Sequence, residues 1–155
     1  GPWAIISRTH PDMVKRMFEA EVPEIYDGTV EIKQISREAG ARTKMAVLSK
    51  DKNVDAIGAC IGSKGARVNT IVEELRGEKI DIIEYDEDPV KFIAAALAPA
   101  EVLNVNLDSE TDKSCTVIVP NNQLSLAIGN KGQNARLAAK LTGWKIDIKP
   151  ENETL

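Results

Sequence analysis

Aromatic side chains are scarce in this chain: Trp3, Phe18, Tyr26, Tyr85, Phe92 and Trp144 are its only six. That argues against a single-strand binder that stacks bases on rings. Histidine is scarcer still. His10 stands alone at a predicted helix entry, and no histidine–cysteine cluster offers zinc a tetrahedral set. Cys60 and Cys115 lie far apart in apolar stretches, so they suit neither a CxxC pair nor the framework of a disulfide-rich secreted fold. No apolar run approaches the ~18 residues of a membrane span. The N-terminus lacks the basic region and apolar core of a secretory signal. The phosphate-binding pattern GxxxxGK[ST] is absent. Asp86-Glu87-Asp88 reads as a turn and helix cap rather than a metal site. These absences leave a cytoplasmic protein with no membrane partner, no cofactor and no catalytic constellation.

What is present is a signal that occurs twice. Ile61-Gly62-Ser63-Lys64-Gly65 returns as Ile128-Gly129-Asn130-Lys131-Gly132, 67 residues on. Two glycines around a polar residue and a lysine make a tight turn that exposes backbone N–H groups beside a positive charge, a device for holding a nucleic-acid backbone. The copies match beyond the loops. At the same offset Ile57 falls on Leu124 and Ala59 on Leu126. Lys79-Ile80-Asp81-Ile82 returns as Lys145-Ile146-Asp147-Ile148, at an offset of 66. A repeat of this period predicts tandem small domains rather than the single domain that 155 residues would suggest.

The net charge of -4 is unexpected for a partner of nucleic acid, but its distribution matters more than its sum. Between Asn121 and Lys145 stand Lys131, Arg136, Lys140 and Lys145 with no acid among them. Between Asp81 and Asp112 nine acids face Lys91 alone. One region can meet phosphates while the other is solvated surface or a dock for a basic protein.

Patterning predicts the same order of elements in each half. A helix begins at His10-Pro11, carries Met13, Val14, Met17 and Phe18 on one stripe and stops before Pro23. Strands follow from Val30 and over Thr43–Ser49, with a turn at Glu38–Ala41. Helix Val54–Cys60, the first loop, helix Arg67–Leu75 and strand Lys79–Tyr85 complete the unit. In the second half the sequence predicts helix Val90–Ala98 capped by Asp88, strands Glu101–Leu107 and Ser114–Val119, and helix Asn122–Ile128. The second loop, helix Asn134–Leu141 and strand Trp144–Ile148 follow. The fold class is α+β: two domains, each a three-stranded sheet with helices on one face. Phe18, Tyr26 and Phe92 are expected in cores or interfaces.

This order of elements with two GxxG loops resembles KH domains of the prokaryotic type. More specifically, the chain resembles the tandem KH region of the NusA family of bacterial transcription factors. The resemblance rests on Glu21-Val-Pro-Glu-Ile-Tyr-Asp-Gly28, on Ala59-Cys-Ile-Gly-Ser-Lys-Gly65 and on the run from Leu124 to Trp144. It implies a lead-in or remnant of an upstream OB-type domain at 1–8, a first KH domain at 9–86, a second at 87–150 and a tail at 151–155. It also implies binding of single-stranded RNA, such as a nascent transcript or ribosomal leader. Through the full-length protein it implies work with RNA polymerase and antitermination proteins on pausing, termination and antitermination. A monomer is expected. A protein-docking scaffold with little RNA binding of its own is the alternative.

The candidate interface follows from the loops. Gly62, Gly65, Gly129 and Gly132 let the sugar-phosphate chain approach, Lys64 and Lys131 supply charge, and Ser63 and Asn130 supply donors. Ile61 and Ile128 begin an apolar groove for bases, continued by Val68 and strand Thr43–Val47 in one unit and by Leu137 and strand Ser114–Val119 in the other. Gln133 and Asn134 open the helix after the second loop and are counted with it. For Arg67 and Arg136, phosphate contact and a surface or helix-dipole role stand equally open. Lys140 and Lys145 are more distant additions, and Lys33, Arg37, Arg42 and Lys44 extend the track or are solvated hairpin residues. The second loop is expected to bind more tightly, because Glu73, Glu74 and Glu78 follow the first.

Overall fold

The computed structural model describes residues 10–152, which divide into two compact units between Glu84 and Tyr85. The lead-in or upstream remnant expected at 1–8 lies outside the described residues, as do the last three residues of the tail. In the first unit the order is α1 (Pro11–Glu21), α2 (Pro23–Tyr26), β1 (Val30–Glu38), β2 (Arg42–Ser49), α3 (Ala56–Ile61), α4 (Ala66–Glu74) and β3 (Lys79–Glu84). The second has α5 (Pro89–Ala96), β4 (Asn104–Ser109), β5 (Ser114–Val119), α6 (Leu124–Ile128), α7 (Gln133–Thr142) and β6 (Lys145–Pro150). Each unit is an α+β layer pair with one three-stranded sheet, ordered β1-β2-β3 and β4-β5-β6. Among the described residues no helix is long and apolar enough to cross a membrane.

Local chemistry sets the helix starts. His10 caps α1, its Nδ1 accepting the Asp12 N–H at 3.1 Å, and Pro11 takes the first helical position, where a missing N–H costs nothing. Asp88 does the same for α5, accepting the Val90 N–H at 3.0 Å ahead of Pro89. α5 ends at Ala96, two residues short of expectation, since Pro99 disfavours helical backbone in the residue before it. β4 begins at Asn104 rather than Glu101. Exposed Leu103 donates one bond to the Ile118 carbonyl at 2.8 Å, and only from Asn104 does the register lock.

In each sheet the first pair is antiparallel and the second parallel, so helix–loop–helix forms the crossover between the parallel strands. The repeated tetrapeptide occupies the same place in both. Lys79 pairs with Arg42 at the start of β2, and Lys145 with Ser114 at the start of β5. In the first unit Val14, Phe18, Met45, Val47, Cys60 and Ile71 meet in the core. In the second, Ile93, Leu97, Val117, Ala127, Leu137 and Leu141 are buried, and Tyr85 meets Phe92 edge-on with ring centroids 5.0 Å apart. Phe18 and Phe92 are interior as expected. Tyr26 is not: it is 83% exposed. Ile25 takes the inward position of the one-turn α2, and a residue one step on is rotated about 100° away from it.

The first hairpin is held by buried charge. Glu78, 1% exposed, accepts Arg37 Nε and Nη2, each at 2.9 Å, the Gly40 N–H at 2.9 Å and the Thr43 hydroxyl at 2.6 Å. Burial by itself would raise its carboxyl pKa, but the bonds from Arg37, Thr43 and Gly40 outweigh it and hold the group below the usual glutamate range. Lys44, wholly buried on the face of β2 opposite Met45, donates to Asp81 at 2.9 Å, and Arg42 reaches the same carboxylate oxygen at 3.2 Å. Burial draws the Lys44 ammonium below the usual lysine range, opposed by the Asp81 charge.

Both thiols are interior. Burial pushes Cys60 up to about 12 and Cys115 up to about 11, so both stay protonated at neutral pH. A thiol reagent counted by mass spectrometry is therefore expected to modify neither cysteine in the folded chain and both in denaturant. Rapid labelling of the folded protein would contradict the burial.

Candidate nucleic-acid interface

The two loops share one backbone despite their different sequences. Gly62 has φ 79° and ψ 173°, and Gly129 has 83° and 170°. Lys64 lies at 54° and 29°, and Lys131 at 55° and 30°. Gly65 lies at 76° and 13°, and Gly132 at 75° and 12°. Every angle agrees within 4° across these six positions. The preceding helix closes with Gly62 N–H on the Gly58 carbonyl, or Gly129 N–H on Ser125, both at 2.9 Å. A short 3₁₀ turn follows, with Gly65 N–H on Gly62 and Gly132 N–H on Gly129, both at 3.1 Å.

Glycine is required at the first position for space as well as for angle. A Cβ on Gly62 would lie 2.9 Å from the Arg67 backbone nitrogen, and one on Gly129 would lie 2.6 Å from that of Asn134. Neither neighbour can yield, being backbone. At the third position a lysine holds left-handed backbone, which costs a side-chain-bearing residue roughly 1 kcal/mol or more. That strain, repeated at the same place in both loops, aims two exposed ammonium groups outward beside the opening turns of α4 and α7. A helix start presents unpaired N–H groups and a favourable dipole to an anion.

Around this frame the structure sorts the candidate residues. Ser63, Lys64, Asn130 and Lys131 are exposed at the loop tips, and Ile61 and Ile128, 36% and 37% exposed, stand beside them. Gln133 is half-buried at the first turn of α7. Arg136 is exposed and arches back, its Nη1 donating to the Lys131 carbonyl at 3.0 Å, so it stays with the loop. Lys140 is exposed about 10 Å along α7 from Gln133. Lys145 lies past the opposite end of that helix, and the fold does not bring it to the loop.

Several expectations need correction. Asn134 is 2% exposed; its amide donates to the Leu97 carbonyl at 3.0 Å and the Ala127 carbonyl at 2.9 Å, so its side chain faces the interior and not a ligand. Arg67 is half-buried, with Nη1 2.9 Å from Glu24 Oε1 and 2.7 Å from the Ala59 carbonyl, which gives it a structural role in place of the free surface or helix-dipole one. Leu137 belongs to the core rather than a groove, and β2 from Thr43 to Val47 is entirely buried. In β5 only Ser114, Thr116 and Ile118 keep partial exposure. Arg37, Arg42 and Lys44 are neither an RNA track nor solvated, since each is paired with Glu78 or Asp81. Only Lys33 of that group is exposed, 3.9 Å from Glu31. Glu78 is neutralised by Arg37, so the exposed acids after the first loop are Glu73 and Glu74. Glu24 was missed in the sequence, because nothing local links it to an arginine 43 residues away.

A three-stranded sheet with one parallel pair, crossed over by a helix–GxxG–helix, with an extra helix and the first of its strands preceding that core, defines a KH domain of the prokaryotic type. The chain contains two in series. Residues 8–85 match the model of the NusA-like first KH domain, and residues 89–155 match that of the NusA-like second KH domain. The chain belongs to the NusA family, of which it is the tandem KH region. It is 63% identical over 153 residues to the transcription termination/antitermination protein NusA of Halalkalibacterium halodurans, covering 99% of this chain and 40% of that one. The corresponding protein of Bacillus subtilis is 61% identical over 153 residues, covering 99% and 41%. That of Thermus thermophilus is 51% identical over 149 residues, covering 96% and 38%. The chain thus spans about two fifths of the length of these relatives. A solved structure, that of APE1850, shares the fold at a TM-score of 0.64 and 22% identity, over 90% of this chain and 97% of that one.

Proposed function

We propose that this chain grips the backbone of single-stranded RNA with its two GxxG loops, as the RNA-holding part of a factor that acts on transcription termination and antitermination by bacterial RNA polymerase. The observation that carries this reading is the pair of left-handed lysines, Lys64 and Lys131, on loops of matching backbone. Burial of the side chains does not account for that strain, kept twice at one position, since both are exposed. It is explained by a ligand that needs charge and N–H groups together. Each loop is suited to about four nucleotides of backbone. Exposed Ile61 and Ile128 offer bases apolar contact, which suits a chain poor in rings. A pure protein-docking module would have no use for intact glycines and lysines in both loops. Contacts with polymerase and antitermination proteins belong to the whole protein of which this chain is a part.

The second loop is the stronger grip. No acid occurs from residue 121 to residue 145, whereas exposed Glu73 and Glu74 stand on the helix that follows the first loop. Fluorescence anisotropy with a labelled ribosomal leader RNA tests both statements. Binding is expected to weaken steeply with salt and to exceed that of the matched DNA. Lys131→Glu is expected to cost more affinity than Lys64→Glu. Absence of binding at low salt would overturn the proposal, and a larger loss from Lys64→Glu would overturn the ranking.

A further inference from the structure

The residue two places after the second glycine does the same work in both units with different chemistry. In the first unit it is Arg67, whose Nη1 meets the Ala59 carbonyl at the end of α3 at 2.7 Å and Glu24 of α2 at 2.9 Å. In the second it is Asn134, whose amide meets the Ala127 carbonyl near the end of α6 at 2.9 Å and the Leu97 carbonyl at the end of α5 at 3.0 Å. Both side chains satisfy a carbonyl that the closing turn of a helix leaves without an intrahelical donor. Both then reach on to the element that precedes the sheet, and both rest their backbone nitrogen against the first glycine of the loop. Three chain segments are stitched at one point beneath each loop.

We propose that Arg67 and Asn134 are positioning residues that hold the two loops in their gripping shape, and that the ionic tether makes the first loop salt-sensitive while the amide tether leaves the second indifferent. The inference rests on the RNA-gripping role proposed above. A left-handed lysine persists only where its surroundings over-determine it, and these tethers are contacts that cross the loop base in both units, joined in the second by the Arg136 bond to the neutral Lys131 carbonyl. The Glu24 and Arg67 side chains are each about one-third exposed, so added salt screens their attraction. Asn134 carries no charge and is buried, so salt does not reach it.

Amide hydrogen exchange of the whole chain, resolved by mass spectrometry or NMR, provides the test without reference to RNA. Raising salt from about 0.05 M to about 0.5 M is expected to speed exchange at residues 62–66 by about fivefold and to leave residues 129–133 within about twofold. Asn134→Ala is expected to speed exchange at 129–133 by about tenfold with 62–66 unchanged, and to weaken RNA binding by a similar factor. Equal salt responses in the two loops, or an unmoved second loop in folded Asn134→Ala, would overturn the proposal. If Asn134→Ala does not fold, Glu24→Gln decides. It removes the charge but keeps an acceptor for Arg67, and is expected to abolish the salt response of the first loop; a persisting response would overturn the tether. Faster exchange with unchanged RNA affinity would support the tethers and overturn the RNA-gripping role.

Discussion

Changing Ser63, Lys64, Asn130 and Lys131 together to aspartate is expected to abolish binding of single-stranded RNA, a loss of at least about a hundredfold in anisotropy titrations at low salt. The variant removes both loop cations and sets two carboxylates at each tip, where a phosphate would otherwise meet N–H groups and an ammonium. It should leave the fold intact. All four side chains are exposed, and aspartate is among the few residues that tolerate the left-handed angles of Lys64 and Lys131. Circular dichroism matching the parent would establish that. Binding retained by a folded variant would move the RNA path off the loops altogether.

The largest expected effect on stability comes from Glu78→Ala, a loss of about 3–5 kcal/mol in urea melts followed by circular dichroism. The substitution strands the Arg37 guanidinium, 3% exposed, without its carboxylate, and leaves the Thr43 hydroxyl and Gly40 N–H without an acceptor. Arg37→Leu combined with Glu78→Gln is expected to recover most of the loss, because the glutamine oxygen still accepts from the Gly40 N–H, its amide nitrogen can donate to the Thr43 hydroxyl, and neither partner of the pair leaves a charge buried. The folded-state pKa of Glu78 lies below its unfolded value. Its contribution is therefore complete above the ordinary glutamate range and is lost as pH falls through the depressed value, so Glu78→Gln should flatten the acid limb of the stability curve. An Ala variant as stable as the parent would show that the pair contributes nothing net.

Local features of this fold are legible in its sequence, and distant pairings are not. The doubled glycine loops, the doubled Lys-Ile-Asp-Ile and strand Ser114–Val119 can be placed by spacing and alternation, and β5 has those limits. The charge pairs escape such reading. Alternation says that Lys44 and Asp81 share a sheet face, but not that the face is buried, and Arg37 finds Glu78 across 41 residues. The four-residue α2, with proline at its start, is too short to show a period. Asn134 is a different case. It stands with Leu137, Ala138 and Leu141 at the i, i+3, i+4, i+7 spacing of an inward stripe, and all four are buried. The signal was present, hidden behind the polarity of an amide. The shared tetrapeptide shows the limit from the other side: Asp81 anchors Lys44 and Arg42, while Asp147 is exposed and has Lys149 beside it at 3.9 Å.

Each loop lies inside the crossover that joins two parallel strands, and this sets the order in which a growing chain becomes competent. A hairpin such as β1–β2 can pair as soon as its turn is made, but β3 has nothing to align with until helix, loop and helix have been threaded between it and β2. As the chain leaves the ribosome, the first grip is assembled only when Lys79–Glu84 emerges, and the second only when Lys145–Pro150 does. A product cut short before Lys145 would carry every residue of the second loop and lack the strand that shapes it.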